Sequence, residues 1–209
     1  MAIAYELLGA PTGNCQRVAV ALEEAEIPYK ATFVDLWSGR HRTREHLRLN
    51  PAGKVPVLIE RDDAGNTRVI SQSNAILLHV ARKGAVPLLP NPNEHSHAIA
   101  LERFMYFVTD VIGPNYAGHV LNAWQQPRQA SLFQQMSLEA FELAEFYLAD
   151  SPYLAGEHYS LADICAATVI APSAGEVDWE RLGNLKTWFD RVTARPGFVR
   201  GMQAFRRGA

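Results

Sequence analysis

Between Lys83 and Asn93 the chain carries Gly84, Pro87, Pro90 and Pro92 and few residues suited to a core. Proline fixes φ and lacks an amide donor, so this stretch reads as a connection rather than a helix or central strand. The pattern differs on its two sides. Before it, short β patterns alternate with helical ones. Ala2–Leu8 is a mostly apolar strand ended by Gly9-Ala10-Pro11. From Asn14, the apolar residues Val18, Ala21, Leu22 and Ala25 recur at helical spacing. Ala31–Leu36 is a second strand, and Arg40–Leu49 a short polar helix or irregular segment. Pro56–Glu60 and Thr67–Ile70 flank the hairpin signal Asp62-Asp63-Ala64-Gly65-Asn66, and Ser73–Arg82 is helical. The order β-α-β-α-β-β-α is that of a small α/β layer fold. After the connection, 94–120, 128–149, 160–171 and 181–194 all place apolar residues three or four apart. The expected architecture is an α/β domain at 1–83, a linker at 84–93 and an all-helical domain at 94–209.

Composition narrows the function classes. The 209 residues hold 20 Lys+Arg against 22 Asp+Glu, are 48% hydrophobic and 20% charged, and carry a net charge of −2. That is a globular balance, and it argues against nucleic acid or an anionic membrane as the main partner. No apolar run approaches the roughly 18 residues of a membrane span. MAIAYELLGA has no basic segment followed by an apolar stretch, so a cytoplasmic protein is expected. Cys15 and Cys165 stand far apart, which suits neither a disulfide framework nor a zinc site, and no metal is expected. Residues 1–83 are net positive by two and residues 84–209 net negative by four. The first part is thus the better place to hold an acidic small molecule.

One helix start is explicit. In Tyr159-Ser160-Leu161-Ala162-Asp163-Ile164, Ser160 and Asp163 stand at the two positions of a capping box, with Tyr159 and Ile164 as the staple pair. Its role is structural, and it also serves as a fingerprint.

The residues now carry a family resemblance. Asn50-Pro51-Ala52-Gly53-Lys54-Val55-Pro56-Val57-Leu58, Ser71-Gln72-Ser73-Asn74-Ala75-Ile76 and Tyr159-Ser160-Leu161-Ala162-Asp163-Ile164 resemble three signatures of cytosolic glutathione transferases. Leu185-Lys186-Thr187-Trp188-Phe189 through Ala194-Arg195-Pro196-Gly197-Phe198 resembles that family's last helices. The likeness runs from about residue 3 to 205, with the motifs in order and register. Ala10-Pro11-Thr12-Gly13-Asn14-Cys15-Gln16-Arg17 is most similar to the bacterial nu-class, which includes glutathione-using disulfide-bond reductases. The resemblance implies a thioredoxin-like N-terminal domain with a mixed four-stranded sheet and an all-α C-terminal domain. It also implies a homodimer that binds glutathione in the first domain and an electrophile between the two.

The chemistry this demands is the lowering of a thiol pKa. Free thiols ionise near pH 8.5, and only the thiolate attacks. Lowering that pKa by about two units requires binding the anion more tightly than the thiol by about 2.7 kcal/mol. Thr12 and Asn14, just before the first helix, supply hydrogen-bond donors for the sulfur; either residue type equally suits a helix cap. Thr12-Gly13-Asn14-Cys15 has the spacing of a C-x-x-C whose first cysteine is Thr. That excludes a dithiol mechanism and leaves Cys15 as a packed thiol or an alternative nucleophile.

The resemblance assigns the remaining contacts. Val55-Pro56 is the family's cis bond, and Val55 pairs its backbone with the cysteinyl residue of glutathione. Lys54 and His41 meet the glycine carboxylate, although a solvated face is an equally direct reading of the run Arg40, His41, Arg42, Arg44, His46, Arg48 and of Lys54. Ser73 holds the γ-glutamyl carboxylate and Gln72 the ammonium. Arg103, Tyr106 and Tyr116 are candidates for the electrophile pocket, with core packing as their alternative. Residues 129–180 lack the Arg that nu-class members carry there. The implied function is transfer of glutathione to an electrophile. Its rivals are glutathione-dependent disulfide reduction and a non-catalytic scaffold of the same fold; retention of Thr12, Asn14, Lys54 and Gln72-Ser73 favours glutathione binding over the scaffold.

Overall fold

A computed structural model describes residues 3–206. The chain divides into two compact units, Met1–Leu88 with Arg195–Ala209, and Leu89–Ala194.

The first unit is built on β1 (Ile3–Gly9), whose Leu7 is wholly buried; Ala2 of the expected strand lies outside the described residues. β2 (Tyr29–Phe33) runs parallel to β1, β3 (Val57–Asp62) antiparallel to it, and β4 (Thr67–Ser71) antiparallel to β3. The order β2-β1-β3-β4 makes the mixed four-stranded sheet that was expected. Asp62 closes the β3–β4 hairpin, its carboxylate accepting from the amides of Ala64 and Asn66 at 3.0 and 2.8 Å. β2 begins two residues earlier than its apolar pattern suggests and ends at Phe33. There Asp35 ends the strand by taking the amides of Trp37 and Ser38 onto its carboxylate.

α1 (Gly13–Glu24) buries Val18 to Leu22, and α3 (Ser73–Val80) buries Ile76, Leu77 and Val80. Between them in sequence lie a 3-10 turn (Arg40–Arg42) and the short α2 (Arg44–Leu49). In β3, Glu60 is buried among His79 Nε2 at 2.5 Å, Arg68 Nη1 at 3.2 Å and Lys83 Nζ at 3.3 Å. Burial alone raises the Glu60 pKa, but the hydrogen bonds and charges of His79 and Lys83 outweigh it and hold the pKa low. A carboxylate whose pKa is depressed on folding adds stability above its unfolded value and loses it as the pH falls through the folded one. Glu60→Gln is therefore expected to cost about 1–3 kcal/mol at neutral pH. Urea unfolding should show the gap to wild type closing below about pH 4.

The second unit is helical. α4 (His95–Tyr106) continues through a π-helical stretch (Phe107–Ile112) into α5 (Gly113–Ala123), followed by α6 (Pro127–Glu142) and α7 (Ala144–Tyr147). Then come α8 (Leu161–Ile170), whose ten residues are all buried, a 3-10 stretch (Ala171–Glu176) and α9 (Gly183–Thr193). The expected capping box is present at α8. The Asp163 carboxylate accepts from Ser160 N at 2.8 Å, Leu154 N at 3.0 Å and Trp188 Nε1 at 2.8 Å, which ties three segments of this unit to one buried residue.

The end of the chain departs from the expected boundary. α10 (Pro196–Gln203) packs on α1 in the first unit rather than extending the helical domain 94–209. Arg195 Nε and Nη2 bind Glu24 Oε2 at 2.9 and 2.6 Å, and the Phe198 amide donates to Glu24 Oε1 at 3.0 Å. Gly201 permits the approach: a Cβ there would lie 2.4 Å from the Val20 amide nitrogen. The connection read as 84–93 is likewise shared, since residues up to Leu88 group with the first unit.

Candidate functional site

The site begins at the turn into α1. Thr12 is extended (φ −121°, ψ 149°) and holds the N-cap position, but its side chain does not cap. Its hydroxyl instead donates to Cys15 Sγ at 3.2 Å. Cys15 is fully buried. Burial pushes its thiol pKa up, against the opposing pull of the Thr12 hydroxyl and the Arg17 charge, which leaves a neutral packed thiol at pH 7. Of the two open readings, the packed one fits. Asn14, in the first turn of α1, accepts on Oδ1 from Arg17 Nη1 at 2.9 Å.

The second element is the loop before β3. Val55-Pro56 is cis. The Lys54 carbonyl just before it is held by Asn50 Nδ2 at 2.8 Å and His46 Nε2 at 3.0 Å. A carbonyl only accepts, so His46 carries its proton on Nε2. Val55 is half-buried and Lys54 exposed. His46 and Asn50 are buried members of a segment that reads in sequence as a charged face. His41 lies in the 3-10 turn, with Nδ1 buried and no hydrogen-bond partner among the described residues. Burial, with the charges of Arg42 and His46, pushes its pKa down, so at pH 7 it is a neutral ring and not a cation.

The third element is the start of α3. Gln72 has φ +74° and ψ 110°, a conformation that residues with a Cβ rarely adopt and that costs about 1–3 kcal/mol. Ser73 follows, buried. The first α-helical bond of α3 runs from the Ile76 amide to the Gln72 carbonyl. The amides of Ser73, Asn74 and Ala75 thus precede the helical ladder and bring the positive end of the helix dipole to this point. Arg17 Nη1 reaches Ser73 Oγ at 3.3 Å and Asn74 Oδ1 at 3.4 Å, so one guanidinium joins the first and third elements. Nothing in the sequence singles out this arginine except its place in the α1 motif.

Beside Thr12 opens a cavity of about 930 Å3. Its apolar walls are Pro11, Phe33, Leu36, Trp37 and Phe205, with Asp35 and Arg206 adding charge. Phe205 rests on β1 because Gly9 has no Cβ, which would stand 2.4 Å from the ring. Phe33 and Leu36 of this wall fall within the stretch expected as a strand, Ala31–Leu36, and Trp37 stands just after it.

The pocket candidates of the helical unit are engaged in other contacts. The Tyr106 hydroxyl donates to the Ala140 carbonyl at 2.7 Å, and burial, with Tyr147 and Asp110, pushes its pKa up to about 12. Arg103 pairs with Glu102 and lies 3.6 Å over the Tyr147 ring centroid. Both side chains bind their own unit together. Tyr116, on α5, is exposed.

Known proteins match this chain along its length. The family model for the glutathione S-transferase N-terminal domain matches residues 13–83, and that for the C-terminal domain matches 125–196. The disulfide-bond oxidoreductase YfcG of Escherichia coli (strain K12) is 30% identical, covering 91% of both chains. Human glutathione S-transferase theta-1 is 26% identical, covering 92% of this chain and 82% of that one. A crystal structure of a glutathione transferase from Burkholderia graminis, with two glutathione molecules bound per subunit, superposes with a TM-score of 0.84 at 26% identity. It covers 98% of this chain and 90% of that one. No helix of the described residues is long and apolar enough to cross a membrane.

Proposed function

The chain belongs to the glutathione S-transferase family, and from that premise we propose that it binds glutathione in its α/β unit and activates the thiol for attack on a small electrophile. The observation that carries this reading is the hydrogen-bonded group formed by Asn14, Arg17, Ser73 and Asn74, with Thr12 beside it. It sets polar side chains at the N-termini of α1 and α3, where an anion is stabilised.

Each end of the tripeptide has its partner. The Thr12 hydroxyl and the Asn14 amide donate to the sulfur and favour the thiolate. The Val55 backbone pairs with the cysteinyl residue, as an added strand does. Ser73 and the first amides of α3 hold the γ-glutamyl carboxylate, and the Gln72 side-chain carbonyl takes the ammonium. Lys54 supplies the charge for the glycine carboxylate, with His41 as a neutral donor. The thiolate then forms a sulfur–carbon bond while the leaving group departs with the electron pair, and the thiol proton goes to solvent. The cavity beside Thr12 suits an apolar or aromatic electrophile. The reading needs no metal, and it carries with it the homodimer that the resemblance implies and the cytoplasmic setting expected from the sequence.

A second reading is favoured by the relative named a disulfide-bond oxidoreductase and by the two glutathione molecules in the Burkholderia structure. There the thiolate attacks a disulfide and expels one thiolate, and a second glutathione resolves the mixed disulfide to glutathione disulfide. Paired turnover of an aryl halide and of hydroxyethyl disulfide, each with glutathione, separates the two. Conjugation is the expected result. Disulfide reduction without conjugation replaces it by the second reading, and turnover of neither overturns both.

A further inference from the structure

We propose that Arg17 is the positioning residue of the glutathione site, turning the Asn14 amide and the Ser73 hydroxyl so that each presents a hydrogen rather than a lone pair to the ligand. The inference rests on the glutathione reading and adds to it the group that sets the site's polarity.

Arg17 lies one turn along α1 from Asn14 and is 1% exposed. Its Nη1 sits 2.9 Å from Asn14 Oδ1, 3.3 Å from Ser73 Oγ and 3.4 Å from Asn74 Oδ1. A guanidinium has donors and no acceptor, so each atom facing it offers a lone pair. For Asn14 this removes the usual ambiguity of a carboxamide: the oxygen faces Arg17, and the NH2 group is what the side chain has left to present. For Ser73 it uses a lone pair and leaves the hydroxyl hydrogen to point elsewhere. Both outcomes are the right ones for an anion. A carboxamide free to flip would offer its oxygen to a thiolate, and that contact is repulsive.

The same guanidinium reaches Ser73 and Asn74, 56 and 57 positions along the chain, and so joins the sulfur end of the proposed site to the γ-glutamyl end. It also places a buried positive charge beneath both anions, where screening by water is weak. That charge also acts on the Cys15 thiol two residues away, drawing its pKa down, after the Thr12 and Ala10 hydrogen bonds, against its burial. Lysine keeps the charge on a differently shaped stem with a compact ammonium, so it meets the three acceptors less closely than Arg17 Nη1 does.

The test reads the ionisation of bound glutathione from its thiolate absorbance across pH. It compares wild type, Arg17→Met, Arg17→Lys and Asn14→Asp, with kcat and KM for an aryl halide measured alongside. In wild type the bound thiol should titrate about two units below the free thiol. In Arg17→Met it should move back up by about one unit, with the rate at about pH 6 falling nearly tenfold and recovering at about pH 9. A purely structural role gives no such recovery. Arg17→Lys should fall between the two. Asn14→Asp puts a carboxylate against Arg17, which keeps the fold but removes the NH2 donor, and it should raise the bound-thiol pKa by a similar amount. If Arg17→Met does not fold, Asn14→Asp and Arg17→Lys decide. Folded variants with a wild-type thiol pKa would overturn the assignment to Arg17. A wild-type protein that binds no glutathione, or leaves its thiol pKa unchanged, would overturn the glutathione reading itself and the inference with it.

Discussion

Asp163→Ala is expected to lower the unfolding free energy of the protein by about 3–5 kcal/mol, the largest stability loss of any single substitution considered. The residue is wholly buried, and it accepts from the amides of Ser160 and Leu154 and from the Trp188 indole. Alanine leaves those three N–H donors in the interior without their acceptor, at about 1–3 kcal/mol each before any water reaches them. It also removes half of the capping box that starts α8, the helix around which the second unit is packed. A typical domain has only about 5–15 kcal/mol in hand, so the variant should lose much of its folded population on mild heating. Denaturant midpoints at neutral pH measure the loss, and a loss under about 1 kcal/mol would mean that the packing of α8 does not depend on this carboxylate.

Thr12→Ala is expected to lower kcat/KM with glutathione by about 10- to 100-fold. A hydrogen bond to a charged group is worth about 1.5–3 kcal/mol, and each 1.36 kcal/mol is a factor of ten in rate. The loss should be largest at low pH and shrink once the thiol ionises unaided. Cys15→Ala should leave turnover close to wild type, because the Cys15 thiol is buried and neutral. The opposite order would make Cys15 the nucleophile. The 3.2 Å bond from Thr12 to Cys15 sharpens the comparison, since that hydroxyl hydrogen must swing from one sulfur to the other when glutathione arrives.

Much of this architecture is legible in the residues. Leu7 and Leu58 pair in the centre of the sheet, and the Asp62–Asn66 turn closes the β3–β4 hairpin where the pattern places it. Ser160 and Asp163 form the capping box that their spacing announces. Local signals of this kind survive folding because their partners lie within a few residues. Other features rest on distant partners and are not legible. α10 reads as one more amphipathic helix after α9; only Glu24, 171 residues before Arg195, and the missing Cβ of Gly201 assign it to α1. The site shows the same division. Thr12, Val55, Gln72 and Ser73 lie at the ends of the elements that the pattern marks, while Asn14 lies inside the first turn of α1 rather than before it. Arg17 looks like an exposed helical arginine until α3 is brought against it, and His46 looks like one more member of a basic run until its ring meets the Lys54 carbonyl. Tyr106 and Arg103 carry no sequence mark of their partners, which are the Ala140 carbonyl and the Tyr147 ring, 34 and 44 positions on.

In the proposed complex the α/β unit holds glutathione through Thr12, Asn14 and Ser73. The most direct measurement is the melting temperature of the protein as glutathione is raised into the millimolar range. A ligand that binds only the folded chain stabilises it by RT ln(1 + [L]/Kd), about 2.7 kcal/mol at a hundred times Kd. The melting temperature should rise in that logarithmic form, a rise retained in Cys15→Ala and reduced in Ser73→Ala. An unchanged melting temperature at millimolar glutathione would contradict it.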